Sequence, residues 1–222
     1  MKVMRGTVIS LAMFLLSAPL LWGQDLSKYR EFSLGMSSAD LSKLIGAKPA
    51  DIKVVHQHPA LIEELAWWPR LVGNPPRAEA VRQVLFSFCD GKLYRIYVNY
   101  DNTATEGMTT DDMARAISAS YGTPSARDIK LSISTGAYGS TERVLERWED
   151  PQYSINLLRP SFSSTFALVL LAKQLNAEAE AASTAGSKLE QQGAAQTATD
   201  RKKTEADNLE ASRVKNVKVF HP

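Results

Sequence analysis

Apolar and polar positions alternate over two neighbouring stretches, Val84 to Phe88 and Tyr94 to Tyr100, with Asp90-Gly91 between them. A period of two marks a half-buried strand and Asp-Gly marks a turn, so the pattern predicts a β-hairpin. A two-residue loop would set Phe86 opposite Arg95. A bulged, three-residue loop keeps Val84, Phe86 and Phe88 beside Tyr94, Ile96 and Val98, and it is the one expected, because register follows the buried face. Elsewhere the period becomes helical, with Leu41, Leu44 and Ile45 on one face and Met113, Ile117 and Tyr121 on another. Tyr153, Ile155 and Leu157, followed by Phe166 to Leu171, read as further strands.

Each helical stretch has the same start. Gly35-Met36-Ser37-Ser38-Ala39-Asp40-Leu41 recurs as Gly107-Met108-Thr109-Thr110-Asp111-Asp112-Met113. Ser37 and Thr109 stand as N-caps with an acid at N3, and Met36 with Leu41 and Met108 with Met113 occupy the positions of a hydrophobic staple. The helices are expected to end at Gly46 and Gly122, with Pro49 and Pro124 shortly after. The match continues: Asp51-Ile52-Lys53-Val54 aligns with Asp128-Ile129-Lys130-Leu131, and Leu65-x-x-Trp68 aligns with Leu145-x-x-Trp148. A helix followed by three or four antiparallel strands, twice, gives an α+β fold of two tandem helix-plus-antiparallel-sheet repeats. The first repeat spans 24–104 and the second 105–175.

The stretches from Gly35 to Pro49 and from Gly107 to Pro124 resemble the signature of the SmpA/OmlA (BamE-like) modules, in which Gly-Met-Thr opens a helix that closes at a Leu-Gly-x-Pro. Two such modules in one exported chain are also similar in architecture to the secreted β-lactamase inhibitory proteins. The resemblance covers about one helix and its exit per copy. It implies the fold, and no binding residue is carried over from it. The lipidated cysteine of BamE-type proteins is absent, and the first copy has Ile45 before Gly46 and two residues between Gly46 and Pro49.

Lys2 and Arg5 precede the apolar run from Val8 to Trp22, which reads as a signal peptide over 1–23 cleaved after Gly23. A retained single anchor is the other reading, although the run is shorter than the roughly 20 residues of a spanning helix. No stable membrane span is expected after cleavage. The localisation that follows is export, to the periplasm or the extracellular space. The two basic residues of this leader account for the whole net charge of +2. Residues 24–175 carry 17 basic and 17 acidic side chains and residues 176–222 carry 7 of each, so no basic stripe points to nucleic acid. The single Cys89 lies in a strand pattern and is expected to be buried.

Residues 176–222 form an Ala/Glu/Lys-rich tail with no large apolar residue between Leu189 and Leu209. That spacing rules out a coiled coil and leaves a polar helical or disordered C-terminal tail, interrupted at Gly186 and Gly193, serving reach or solubility.

The chemistry of catalysis is thin. His56-x-His58 with Glu63 or Glu64 is the one metal-like grouping, and it reads as a solvated loop before Pro59 because no third ligand has motif spacing. Asp111-Asp112 suits the first turn of a helix, Glu149-Asp150 suits a turn before Pro151, and no Gly-x-Ser-x-Gly elbow occurs. No catalytic residue, metal or cofactor is assigned, and the chain reads as a non-enzyme. The surface candidates are Trp67 and Arg70 in Trp67-Trp68-Pro69-Arg70-Leu71, with Arg95, Tyr97 and Asn99 on the outer face of the hairpin strand. Adjacent Trp residues on a strand face opposite ways. The alignment with Trp148 puts Trp68 in the core and leaves Trp67 as partner anchor, or as packing beneath the loop that follows. The expected function is an exported protein-binding or envelope-assembly module acting on another envelope or secreted protein. The alternative is a secreted inhibitor that presents its exposed sheet face to an enzyme.

Overall fold

The computed structural model describes residues 25–69, 79–135, 138–160 and 165–219. The segment read as a signal peptide and Arg70 lie outside the described residues. A short hairpin, β1 (Lys28–Tyr29) and β2 (Phe32–Ser33), precedes α1 (Ser38–Ile45) and four strands, β3 (Ile52–His56), β4 (Ile62–Trp67), β5 (Val81–Cys89) and β6 (Lys92–Tyr100). Then come α2 (Thr110–Tyr121), β7 (Ala126–Thr135), β8 (Tyr138–Glu149), β9 (Tyr153–Leu158), β10 (Ala167–Ala172) and α3 (Lys173–Val219). The fold is α+β. One antiparallel sheet of eight strands runs in the order β3-β4-β5-β6-β10-β9-β8-β7. The last strand of each four-stranded meander therefore pairs with the other, Val98 opposite Leu168 and Ile96 opposite Leu170.

Both helix starts form as the sequence predicts. Ser37 Oγ accepts from the Asp40 amide at 3.1 Å and Thr109 Oγ1 from the Asp112 amide at 3.2 Å. At Thr109 the box closes reciprocally, its own amide donating to Asp112 Oδ2 at 3.0 Å. The glycine two residues before each cap has a positive φ, 87° at Gly35 and 75° at Gly107, with open space where a Cβ would stand. Glycine is needed there for backbone conformation and not for room. The helices stop at Ile45 and Tyr121, as expected. Leu41, Ile45, Met113 and Ile117 are buried, whereas Leu44, assigned above to the core face, is exposed.

The β5–β6 hairpin corrects a detail of the sequence reading. Its loop is the two-residue one: Cys89 pairs with Lys92, and Asp90 and Gly91 both have positive φ, 47° and 74°, as a tight hairpin turn requires. The extra residue lies inside the strand. Phe88 pairs with Leu93 and Ser87 with Arg95, so Tyr94 is the bulge. Beyond it Phe86 faces Ile96 and Val84 faces Val98. The bulge restores the buried register that the loop was expected to set.

One core lies on the front face of the sheet. It joins Leu65, Phe86 and Ile96 to Trp148, Ile155 and Leu170, and it is covered by Leu41 of α1, Met113 and Ile117 of α2 and Phe32 of the N-terminal hairpin. Each side chain of this size, fully buried, contributes about 1.5–3 kcal/mol. On the back face, Val144, Leu158 and Val169 form a second cluster with Ile133.

The tail takes the helical of its two expected forms and departs from expectation in its docking and continuity. It is a helix that starts at Lys173, directly after β10, and it is continuous through Gly186 and Gly193. Its first part is not an appendage. Ala179, Ala182 and Gly186 lie on one stripe, and Ala179 and Ala182 are buried against Ile62, Cys89 and Tyr94 on the back face. Small residues let the helix axis approach the strands closely, and at Gly186 the interruption expected from glycine is offset by packing. From Lys188 to Val219 every residue is exposed, and beyond Glu190, which still contacts His56, about 44 Å of helix runs free at 1.5 Å per residue. Among the described residues no helix is long and apolar enough to cross a membrane.

Candidate binding site at the Trp67-Trp68 corner

Strand β4 pairs with β5 without a break, from Ile62 opposite Cys89 to Trp67 opposite Val84. Leu65 and Trp67 therefore share the face of Val84 and Phe86. Leu65 is buried, and Trp67 packs edge-on against Phe32 with ring centroids 5.4 Å apart and planes at 73°. Trp68 follows the end of the strand and is 43% exposed. This reverses the roles assigned from sequence, where Trp68 was the core residue and Trp67 the anchor. The cause is a bulge. Strand β8 shifts register between Val144 and Glu146, which puts Leu145 and Trp148 on the core side at a spacing of three. Strand β4 has no such shift, so its core spacing is two, Leu65 to Trp67.

The two inward indoles differ in their polar handle. Trp148 Nε1 donates to the Gly122 carbonyl at 2.7 Å, tying β8 to the end of α2. Trp67 Nε1 is buried with no hydrogen-bond partner among the described residues. An unmet buried donor costs on the order of 1–3 kcal/mol. Beside it, Trp67, Trp68 and Ala66 meet Ile45, Gly46 and Ala47 at the end of α1 around a cleft of about 360 Å³. Asp51, the one acid on its rim among the described residues, accepts from the Lys48 amide at 2.7 Å. The corner thus combines an exposed indole, a mainly apolar recess and a buried donor with no acceptor among the described residues.

Arg95, Tyr97 and Asn99 lie together on the back face, as their alternation predicts, and so away from Trp67. Arg95 does not extend an exposed patch. It is 2% exposed, its guanidinium donates to Ser87 Oγ at 2.9 and 3.2 Å and to Glu64 Oε1 at 3.3 Å, and it lies over the Tyr94 ring. The bulge at Tyr94 sets both side chains on that face. Tyr97 is half-buried, and desolvation, with the Glu142 carboxylate nearby, pushes its hydroxyl up to about 12. Asn99 is half-buried and its side-chain amide donates to Gln83 Oε1 at 3.3 Å.

The remaining polar candidates have structural partners. His56 is buried, not solvated, and its Nδ1 lies 3.0 Å from Glu190 Oε1 of α3. Among the described residues no three His, Cys, Asp or Glu side chains converge as metal ligands. Asp112 closes the capping box, Glu149 pairs with Lys173 Nζ at 2.7 Å, and Asp150 accepts from the amides of Gln152 and Tyr153. Cys89 is buried at the end of β5, where desolvation raises its thiol pKa. The sequence reading missed the contribution of Gly46, Ala47 and Asp51 to the corner, because they follow α1 and only the sheet brings β4 beside them. Comparison of the chain with family models, with curated proteins and with solved structures returns no match.

Proposed function

We propose that the chain is an exported, non-catalytic binding or assembly module built from two tandem BamE-like units, and that it docks another envelope or secreted protein at the Trp67-Trp68 corner. The observation that carries this reading is the 43% exposed Trp68 at the mouth of an apolar recess. Trp is among the side chains that dominate binding energies, and a recess beside it supplies the desolvated surround that such anchors need. The two capped helices, each leading into a four-stranded meander, support the tandem organisation. The free part of α3 gives the module reach. The inhibitor reading, through the sheet's back face, has less support, since Arg95 is buried there and α3 covers part of that face.

The test is a pull-down with wild type and Trp68→Ala, each from cell envelope and from secreted medium. A protein captured from either source by wild type and lost with Trp68→Ala, at an unchanged melting temperature, supports the proposal. Capture that is identical with both proteins counts against the corner.

A further inference from the structure

A second recess lies on the front of the molecule, between α2, the N-terminal hairpin and the end of β6. It encloses about 490 Å³, within the range of small-molecule sites. Its two ends differ in chemistry. Toward the N-terminus of α2 the lining is apolar, with Met108, Met113 and Ile117, and Leu168 of β10 behind them. At the other end three phenols gather: Tyr29 from β1, Tyr100 from the end of β6 and Tyr121 from the last turn of α2. The Tyr29 and Tyr100 hydroxyls hydrogen-bond to each other, and Tyr121 donates to the Lys28 carbonyl at 2.7 Å.

Among the described residues the one charged side chain of the lining is Arg30, and its charge is already spent. Its two terminal nitrogens donate to the two oxygens of Glu79 at 3.1 and 2.9 Å. A ligand carboxylate or phosphate would compete with this two-point pair, and a ligand cation would find Glu79 engaged. The phenols are also uncharged across the physiological range. Desolvation pushes Tyr29 and Tyr121 up to about 12, and Tyr100 further still. The polar end therefore offers neutral hydroxyls able to donate and to accept. The opposite end offers thioethers, which favour contact with aromatic ring edges.

We infer that this cleft binds a small uncharged aromatic molecule, its ring among Met108, Met113 and Ile117 and a hydroxyl, carbonyl or amine head toward the three tyrosines. The inference is independent of the Trp67-Trp68 corner, from which it shares no lining residue.

The test uses the full chain and two fluorescent probes of related ring system, neutral N-phenylnaphthylamine and anionic anilinonaphthalene sulfonate. The neutral probe is expected to show saturable enhancement at one site, with the anionic probe bound at least about tenfold more weakly. Ala116 lines the cleft from the exposed side of α2, so Ala116→Phe fills the space without entering the core. It is expected to abolish the enhancement while leaving the melting temperature near wild type. Tyr121→Phe is expected to weaken binding several-fold at constant ring area. The inference is overturned by no enhancement in wild type, by enhancement that survives Ala116→Phe, or by equal affinity for the anionic probe.

Discussion

Two glycines of α3, Gly186 and Gly193, about two turns apart, respond oppositely to the same substitution. At Gly186 an added Cβ would stand 2.7 Å from the His58 carbonyl oxygen and 3.2 Å from His56 Nδ1. A backbone carbonyl cannot rotate aside, so Gly186→Ala forces the helix off the sheet and opens the contact of Ala179 and Ala182 with Ile62, Cys89 and Tyr94. Such overpacking costs about 1–3 kcal/mol, against the roughly 1 kcal/mol that alanine gains over glycine inside a helix. The expected net is a loss of up to about 2 kcal/mol, read as a lower midpoint in urea unfolding followed by tryptophan fluorescence. At Gly193 a Cβ meets nothing within 4 Å. Gly193→Ala therefore keeps the whole helix gain, read as slower amide exchange in the free segment, with the global midpoint unmoved. A Gly186→Ala protein more stable than wild type by the full helix gain of about 1 kcal/mol would refute the close docking of α3.

A chain ending after Glu190 retains the docked stripe and is expected to melt like the full protein, whereas one ending after Asn176 loses Ala179, Ala182 and Gly186 and is expected to melt well below it; equal melts for the two would show that the stripe does not hold. Ser37→Ala and Thr109→Ala should each cost about 1 kcal/mol in denaturant unfolding, the usual loss of an N-cap. Thr109 also holds the Asp112 carboxyl below its ordinary 3.8, first through its side-chain hydrogen bond. A depressed folded pKa stabilises above the unfolded value and the gain is lost as pH falls through the folded one, so in Thr109→Ala an NMR titration should find Asp112 nearer 3.8 and the acid dependence of stability below that pH reduced. Trp67→Ala should cost about 3–5 kcal/mol by leaving a cavity beside Phe32, while Trp68→Ala should leave the thermal melt nearly unchanged; matching melts would contradict the inward and outward assignment.

The features legible in the sequence were those set by local chemistry. Ser37 and Thr109 declare their caps within four residues, Asp90-Gly91 declares its turn, and the alternation marks Val84, Phe86, Phe88, Ile96 and Val98 as core-facing, while Tyr94, read with them, lies on the back face and Leu93 takes its place. Single-residue insertions in strands were not legible, because a bulge leaves no mark on composition. One such insertion moved the extra residue of the β5–β6 hairpin from its loop to Tyr94, and another, in β8, made Leu145-x-x-Trp148 a misleading template for Leu65-x-x-Trp68. The docking of α3 was hidden for a different reason. A stripe of Ala179, Ala182 and Gly186 carries almost no hydrophobic signal, and its value lies in permitting close approach to a surface that exists only once β3 to β6 have assembled. The same holds for the tyrosine cleft, whose three phenols come from positions 29, 100 and 121.

The most direct test of the account is the affinity of wild type and of Trp68→Ala for the partner that the pull-down identifies, measured by titration calorimetry with both proteins folded. The account predicts a loss of about 2 kcal/mol or more for Trp68→Ala, a fall of roughly thirtyfold. An affinity unchanged by removal of the exposed indole would contradict it.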